Sequence, residues 1–568
     1  MKIKKKFKRI MRNAFGYGLH PNWKKIIRKD SLPWASTQVG ISNSSKILIA
    51  TSTGGYAAGT TVESMLAVAL TLRGAEVHVL LCDKILPACM RAEFHQFSSL
   101  KEFSLHGPSR LCRTCFSPAD KMYRSIGLTV HRYSDLLTAE EMQEAQKLSS
   151  TIPFSKIASY KKGSIALGEQ SMAGALRFYA QGNIDDSPYS ETIVRRYFHA
   201  SLLTYYATCR LLNSIQFEAA CFHHGIYVPQ GIIGEVARQK GVNIVNWNPA
   251  YKKQCFIFTH GDTYHHKLLD EPTANWENIE WTPEIESDIL SYLKSRWQGT
   301  QDWIWFHKNP YEEITKIAAE LGVDFSKPCI GMLTNVIWDA QLHYRANAFP
   351  NMIDWTISTI NYFAKRPDLQ LIIRIHPAEI RGTIPSRQPL LFEIQKTFPN
   401  LPANVFIIPP ESEISTYAVM FKCNAVIIYG TKTGVELSSR GMPVIVAGEA
   451  WIRGKELTMD ASSPKEYFEL LNRLPLSDGL SANDTQRALK YAYHFFFRRM
   501  IPLFFITPQP GDWPPYRLAL TNLEELLPGK SLGLDVICDG ILTGSEFIYP
   551  AEKVLRKNQS QIQGKPRL

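Results

Sequence analysis

Short, nearly unbroken apolar runs recur along the chain, each followed by a turn and a helical stretch. SKILIATS (45–52) breaks at Gly54-Gly55. The next segment, TVESMLAVALTLRG, predicts a helix that starts at a Thr60–Glu63 capping box and closes at Gly74. EVHVLLCD (76–83) predicts the second strand of this β-α-β unit. Residues 100–215 lack strand rhythm and read as a helical insertion (TAEEMQEAQKL; SETIVRRYFHASLLTYYATCRLL). The sheet pattern resumes at FEAACFHHG (217–225) and VNIVNW (242–247), and the acidic, Trp-rich stretch 270–326 predicts a connector. A second series follows: KPCIGMLTN (327–335), LQLIIRIH (369–376), NVFIIPP (404–410), NAVIIYG (424–430) and PVIVAG (443–448). Continuous Ile/Val content of this kind belongs to parallel strands covered on both faces.

The pattern predicts an α/β protein with two Rossmann-like, doubly wound parallel-sheet domains facing a cleft, the first carrying the helical insertion. The expected bounds are a basic arm at 1–44, a first domain at 45–326, a second at 327–485, and helices with a basic tail at 486–568. A length of 568 residues suits at least two domains.

Charge refines this picture. The net charge of +12 sits at the ends: residues 1–29 hold eleven lysines and arginines and no acid, and 551–568 are also basic. The body between is slightly acidic, which excludes a nucleic-acid-binding body, since that needs a clustered basic face. The arm MKIKKKFKRIMRNAF spaces Ile3, Phe7, Ile10, Met11, Ala14 and Phe15 helically among its cations, a pattern suited to an anionic membrane surface. No apolar run reaches spanning length, and YAYHFFFRRMIPLFFIT (491–507) is interrupted by Arg498, Arg499 and Pro502 as a packed core helix would be. Ten cysteines, mostly in apolar strands, suit a reducing compartment. Cys82, Cys89, Cys112 and Cys115 offer one CxxC pair and a zinc alternative, against a reading as core or redox-sensitive thiols.

Candidate chemistry concentrates at strand ends. Arg374, His376 and Pro377 form a corner after one strand of the second half, with an imidazole able to donate to a phosphate. Gly430, Thr431, Thr433 and Gly434 form a Gly/Thr turn into a helix whose first turn carries Glu436, an acceptor for ribose hydroxyls. The spacing is not that of a Walker A loop. In the first half, His223 and His224 end a strand, and either is a candidate general base, with Asp83 and Glu63 as rivals. The Gly-rich turn TGGYAAGTT lacks the dinucleotide fingerprint and suggests close approach of a donor or acceptor to the backbone. No metal-binding DxD constellation stands out, so leaving-group stabilisation by His, Arg and helix dipole is expected, without metal.

Three segments, LTNVIWDAQLHYRANAFPNMIDW (333–355), IIRIHPAEIRG (372–382) and YGTKTGVELSSRGMPVIVAGEAWIRGKELTMD (429–460), resemble the capsule polysaccharide biosynthesis proteins of bacteria. These are GT-B-type glycosyltransferases related to Kdo-transferring capsule enzymes. HHGIYVPQG (223–231) and FTHGDTYHH (258–266) are similar to the family's first half. The resemblance implies a GT-B-like fold in which His376 binds the donor's phosphate, completed by Thr431 and Thr433. It implies a nucleotide-sugar as co-substrate and no other cofactor. It further implies a glycan or glycolipid acceptor and surface polysaccharide made at the cytoplasmic side of the plasma membrane. Two other readings share these features: a nucleotide-sugar 2-epimerase, and a non-catalytic GT-B-like assembly subunit.

Overall fold

The structure, a computed structural model, describes residues 20–28, 34, 44–298, 301–303, 310–340, 342, 346–509 and 516–556. The expected basic N-terminal helix falls on residues 1–19 and the basic tail largely on 557–568, both outside the described residues. The chain forms two compact α/β units.

The first unit combines Met1–Tyr179, Ile184–Tyr264 and Arg499–Tyr549. Its sheet is built from β1 (Lys46–Ser52), β2 (Glu76–Leu81), β3 (Thr129–Arg132), β4 (Ala219–His223), β5 (Asn243–Pro249) and β6 (Cys255–His260). β1 lies at the centre, with β2 and β3 on one side and β4, β5 and β6 on the other. All pairings among β1 to β5 are parallel, and β6 turns back antiparallel on β5.

Residues 100–215 are mainly helical, as expected, yet they contain β3, whose Val130 pairs with Val79 of β2. The helix Ala139–Thr151 starts with a reciprocal capping box between Thr138 and Glu141. The long helix Ser190–Ser214 packs its apolar face into the core shared with Phe103, Phe178 and Phe222.

The first β-α-β unit starts differently from its sequence reading. The helix runs Ala57–Thr71, three residues ahead of the expected Thr60–Glu63 box, and all its residues are buried. Thr60 instead donates to backbone carbonyls one turn back and meets the His20 imidazole at 2.8 Å, so Glu63 is free to point inward from mid-helix. Gly74 follows the helix with φ of +86°, the left-handed conformation that glycine adopts without strain.

The second unit comprises Ala180–Asn183, His265–Arg498 and Pro550–Leu568. It therefore begins at 265, ahead of the expected 327, because the helices Pro283–Gln298 and Ile314–Leu321 of the expected connector belong to it. Its sheet holds β7 (Cys329–Leu333), β8 (Gln370–Arg374), β9 (Val405–Ile408), β10 (Ala425–Ile428), β11 (Val444–Val446) and β12 (Met459–Asp460). The order is β12-β11-β10-β7-β8-β9, all parallel. Every residue of β7, β8, β10 and β11 is buried, as expected for strands covered by helices on both faces.

Beyond this sheet the helix Ala482–Tyr493 continues as a π-helical turn, His494–Arg498, which buries His494, Phe495 and Phe496. The chain then returns to the first unit, where β13 (Ile501–Pro502) pairs antiparallel with β6. Residues 499–549, expected among separate C-terminal helices, thus complete the first sheet. No helix among the described residues is long and apolar enough to cross a membrane.

Candidate functional site

In each sheet the strand order reverses at one point. In the second unit this point lies between β7 and β10, because the chain leaves β7 for β8 and β9 on one side and returns to β10 on the other. Loops at the carboxyl ends of such neighbouring strands splay apart, which makes the crevice there the favoured ligand site of a doubly wound sheet.

The carboxyl ends of β7, β8 and β10 are bound together by side chains. Thr334, just past β7, accepts the His376 N–H at 3.1 Å on Oγ1 and donates its own N–H to the Arg374 carbonyl at 3.3 Å. Asn335 donates through Nδ2 to the Gly430 carbonyl at 3.0 Å. His376 is half-buried, and its Nδ1 accepts the Ala378 N–H at 3.0 Å. The neutral ring therefore carries its proton on Nε2. Pro377 supports this arrangement by opening the short helix Ala378–Arg381 that brings the Ala378 N–H into place.

The Gly/Thr turn behaves partly as expected. Gly430 is exposed at the end of β10. The Thr431 hydroxyl accepts the Thr433 N–H at 3.3 Å and lies 3.1 Å from the Thr433 hydroxyl, so the two threonines form one local cluster. Gly434 serves packing instead: a Cβ there would lie 2.6 Å from Ile428 Cδ1 and 3.0 Å from Ile452 Cγ2. It lets the helix Thr433–Ser438 close onto the sheet and touches no open surface.

Two expected ligand contacts are committed elsewhere. Arg374 is 2% exposed, and its guanidinium donates to the carbonyls of Pro409 at 2.6 Å and Ser412 at 3.1 Å. Burial, with Arg381 nearby, lowers its pKa to about 10. It fixes the loop after β9, so the phosphate role expected of Arg374 is not supported.

Glu436 is likewise 2% exposed. Its carboxylate lies 3.1 Å from Arg296 Nε and 3.1 Å from Lys432 Nζ, and it accepts from the Tyr417 hydroxyl. Burial alone would raise this carboxyl, but the two cations and the phenol hold it down at about 2. Arg296 also pairs with Asp302, which accepts from Tyr292 at 2.8 Å. The expected ribose acceptor is therefore the centre of a buried, charge-balanced network. Glu379, in the short helix after β8, is buried and raised to about 7 by that burial; it accepts the Leu390 N–H at 3.3 Å and so anchors the start of the next helix.

Sequence reading missed Thr334, Asn335 and Glu449. Glu449 follows β11, and its carbonyl oxygen would lie 3.6 Å from a Cβ on Gly430. The spacing from strand to polar residue was visible in LTN and AGE, but single polar residues after strands are too common to mark a site.

In the first unit the corresponding reversal lies between β1 and β4, and it gathers Glu63, His223 and His224. Glu63 Oε1 accepts the His223 backbone N–H at 3.1 Å and the Trp247 indole N–H at 3.2 Å. Burial raises Glu63 to about 7 against these bonds. The His223 ring packs at a tilt against both Tyr56 and Trp247, with centroids 4.9 Å apart in each pair, and the residue is 5% exposed. Burial, with His224 adjacent, pushes its pKa well below the usual imidazole value. His224 is half-buried with a left-handed backbone, φ of +69°. Asp83 stands apart at the end of β2, where Ser134 donates to it from both its N–H and its hydroxyl.

The Gly-rich turn leaves no room over its glycines. A Cβ on Gly54 would lie 2.5 Å from Ala119 Cβ, and one on Gly55 would strike the Arg91 guanidinium. These glycines admit the protein's own side chains. Cys115 Sγ accepts the Gly55 N–H at 3.1 Å, and burial raises the thiols of Cys82, Cys89, Cys112 and Cys115. Among the described residues no group of His, Cys, Asp or Glu side chains is placed to hold a metal ion, these four included.

No family model matches the chain, and no curated protein matches it. Solved structures to which it is similar include the Thermosulfurimonas dismutans KpsC beta Kdo 2,4 transferase, at 12% identity and a TM-score of 0.31, over 48% of this chain and 79% of that one. Another is the UDP-GlcNAc 2-epimerase from Neisseria meningitidis bound to UDP-GlcNAc, at 10% identity and a TM-score of 0.25, over 79% of this chain and 94% of that one. A third is the sucrose-phosphate synthase of Thermosynechococcus elongatus, at 13% identity and a TM-score of 0.27, over 78% of this chain and 94% of that one.

Proposed function

We propose that the chain is a glycosyltransferase that moves a sugar from a nucleotide-sugar donor to a glycan or lipid-linked acceptor in surface polysaccharide synthesis. One observation carries the reading. His376, held as an Nε2–H donor, and the Thr431–Thr433 turn stand at the carboxyl ends of β8 and β10, the two strands that flank β7. A fixed donor at a strand end suits the developing charge on a departing nucleoside phosphate, and such preorganised donors are a large catalytic term. The sequence resemblance over 333–355, 372–382 and 429–460 supports the donor class and the polysaccharide product.

In this reading the second unit binds the donor and the first handles the acceptor. Of the four expected bases, His224 is the best placed to meet an acceptor hydroxyl, being half-buried while His223 and Glu63 are enclosed. No metal is needed for the departing phosphate, so transfer should persist in EDTA.

The test is a thermal-shift screen of CMP-, UDP-, GDP- and CDP-linked sugars, followed by product analysis with the stabilising donor. Stabilisation by one donor and acceptor-dependent nucleotide release support transfer. Solvent deuterium entering the donor's C2 without an acceptor would point to the epimerase instead. Stabilisation by no donor overturns the reading.

A further inference from the structure

Two acceptor atoms at the carboxyl ends of the second sheet have no hydrogen-bond partner among the described residues. They are Asn335 Oδ1 and Glu449 Oε2, and both are closed off from solvent. A buried acceptor left unpaired is costly and uncommon, and a persistent one marks a place where a ligand or water supplies the donor.

Each oxygen belongs to a side chain that is otherwise anchored. Asn335 is held by its Nδ2 bond to the Gly430 carbonyl and by its own N–H, which meets Met352 Sδ at 3.1 Å. Glu449 is held by the Ala346 N–H on Oε1 at 3.1 Å and by donating its own N–H to Asn347 Oδ1 at 3.0 Å. Both residues are half-buried and flank exposed Gly430, Asn335 from β7 and Glu449 from β11. The two residues are thus set on either side of the turn that runs from Gly430 through Thr431 to Thr433.

We infer that Asn335 and Glu449 form a hydroxyl-reading pair for the nucleotide-sugar, accepting from a sugar ring of the ligand rather than from its phosphates. The inference rests on the donor-site reading above and deepens it. A carboxylate repels a phosphate, so the charged part of the ligand belongs away from Glu449, towards His376 on the far side of β7. The neutral, hydroxyl-bearing part then falls to the acceptors across Gly430. Ring hydroxyls come from two sources, the ribose and the transferred sugar, and they share this chemistry. Glu436, the expected hydroxyl acceptor, is saturated by Arg296, Lys432 and Tyr417, which leaves the task to another residue.

The test is calorimetric titration of the full-length protein and its Glu449→Gln variant with UDP, CMP and their 2′,3′-dideoxy counterparts, and with UDP-N-acetylglucosamine. Wild type should prefer a ribose nucleotide over its dideoxy form by about ten-fold or more, and Glu449→Gln should lose most of that preference. Affinity for the dideoxy form should stay unchanged, which a merely structural role would not produce. Equal binding of ribose and dideoxy forms, with an advantage of UDP-N-acetylglucosamine over UDP that falls in the variant, assigns the hydroxyls to the transferred sugar. Asn335→Ala, carried through the same titrations, keeps the test open if Glu449→Gln fails to fold. A wild type that binds these ligands while both variants keep its full discrimination overturns the pair alone. A wild type that binds none of them overturns the donor site and this inference with it.

Discussion

The imidazole of His376 accepts the Ala378 N–H on Nδ1 at 3.0 Å, and this single bond decides which nitrogen of the ring can donate. His376→Ala removes the Nε2–H. Transfer should fall by about 10²–10³-fold, the usual loss for one preorganised donor. The side chain is half-buried, so stability should change by only about 1 kcal/mol. Initial rates and a denaturation curve on the same preparation check both. A normal rate would remove His376 from the mechanism.

Arg374→Met keeps the aliphatic stem but loses the bonds to the Pro409 and Ser412 carbonyls. Hydrogen bonds to a charged group contribute roughly 1.5–3 kcal/mol each, so unfolding should become easier by a few kcal/mol. Donor affinity of the folded variant should be unchanged. A wild-type melting temperature with lost donor binding would restore the phosphate role.

Glu436→Gln leaves Arg296 and Lys432 without their shared carboxylate and should cost about 3–5 kcal/mol at neutral pH. The folded carboxyl is held near 2, below its ordinary value of 4.5. Its contribution is therefore fully present above the ordinary value and is lost as pH falls from there towards 2. The gap between wild type and variant, followed by chemical denaturation, should narrow across that range.

Glu63 has the opposite sign. Its folded value of about 7 lies above 4.5, so the native state binds a proton that the unfolded chain has released. Stability from this group is complete below 4.5 and is lost as pH rises through 7. Glu63→Gln keeps an oxygen for the His223 and Trp247 N–H groups and cannot ionise. Melting temperatures between pH 5 and pH 8.5 should fall less steeply in the variant; parallel curves would mean that Glu63 does not titrate in this window.

Deleting residues 1–19 removes seven lysines and arginines while keeping His20 and the buried Trp23 in place. Each cation near an anionic surface contributes about 1 kcal/mol, so co-sedimentation with phosphatidylserine vesicles should drop and weaken with salt. Undiminished sedimentation would free the arm of that role.

What the sequence disclosed was mostly local. Continuous apolar strands, the His-Pro corner and the Gly/Thr turn are short-range patterns, and the structure places the corner and the turn at the same end of one sheet, on the two strands that flank β7. Arg374 and Glu436 were misread because their partners are remote. Ser412 lies 38 residues from Arg374, and Arg296 comes from a helix before β7. A charged residue beside a motif looks the same in sequence whether it faces ligand or its own fold. Asn335 and Glu449 were invisible for a related reason: what singles them out is an oxygen left unpaired, which only coordinates reveal. The strand at Ile501–Pro502 was also hidden, since a two-residue strand that includes a proline carries no strand period.

That late strand bears on biosynthesis. The first sheet is not finished when its six earlier strands have left the ribosome, because its last edge and the Arg499–Tyr549 segment arrive after all of 265–498. Until then Phe256 of β6 lacks Ile501 and Tyr516, and the helix Ala57–Thr71 lacks the Tyr516 hydroxyl bonded to Ala58. A nascent chain stopped near residue 498 would expose an open antiparallel edge and an apolar helix, a substrate for chaperones. A truncation there therefore threatens the beginning of the protein more than its end.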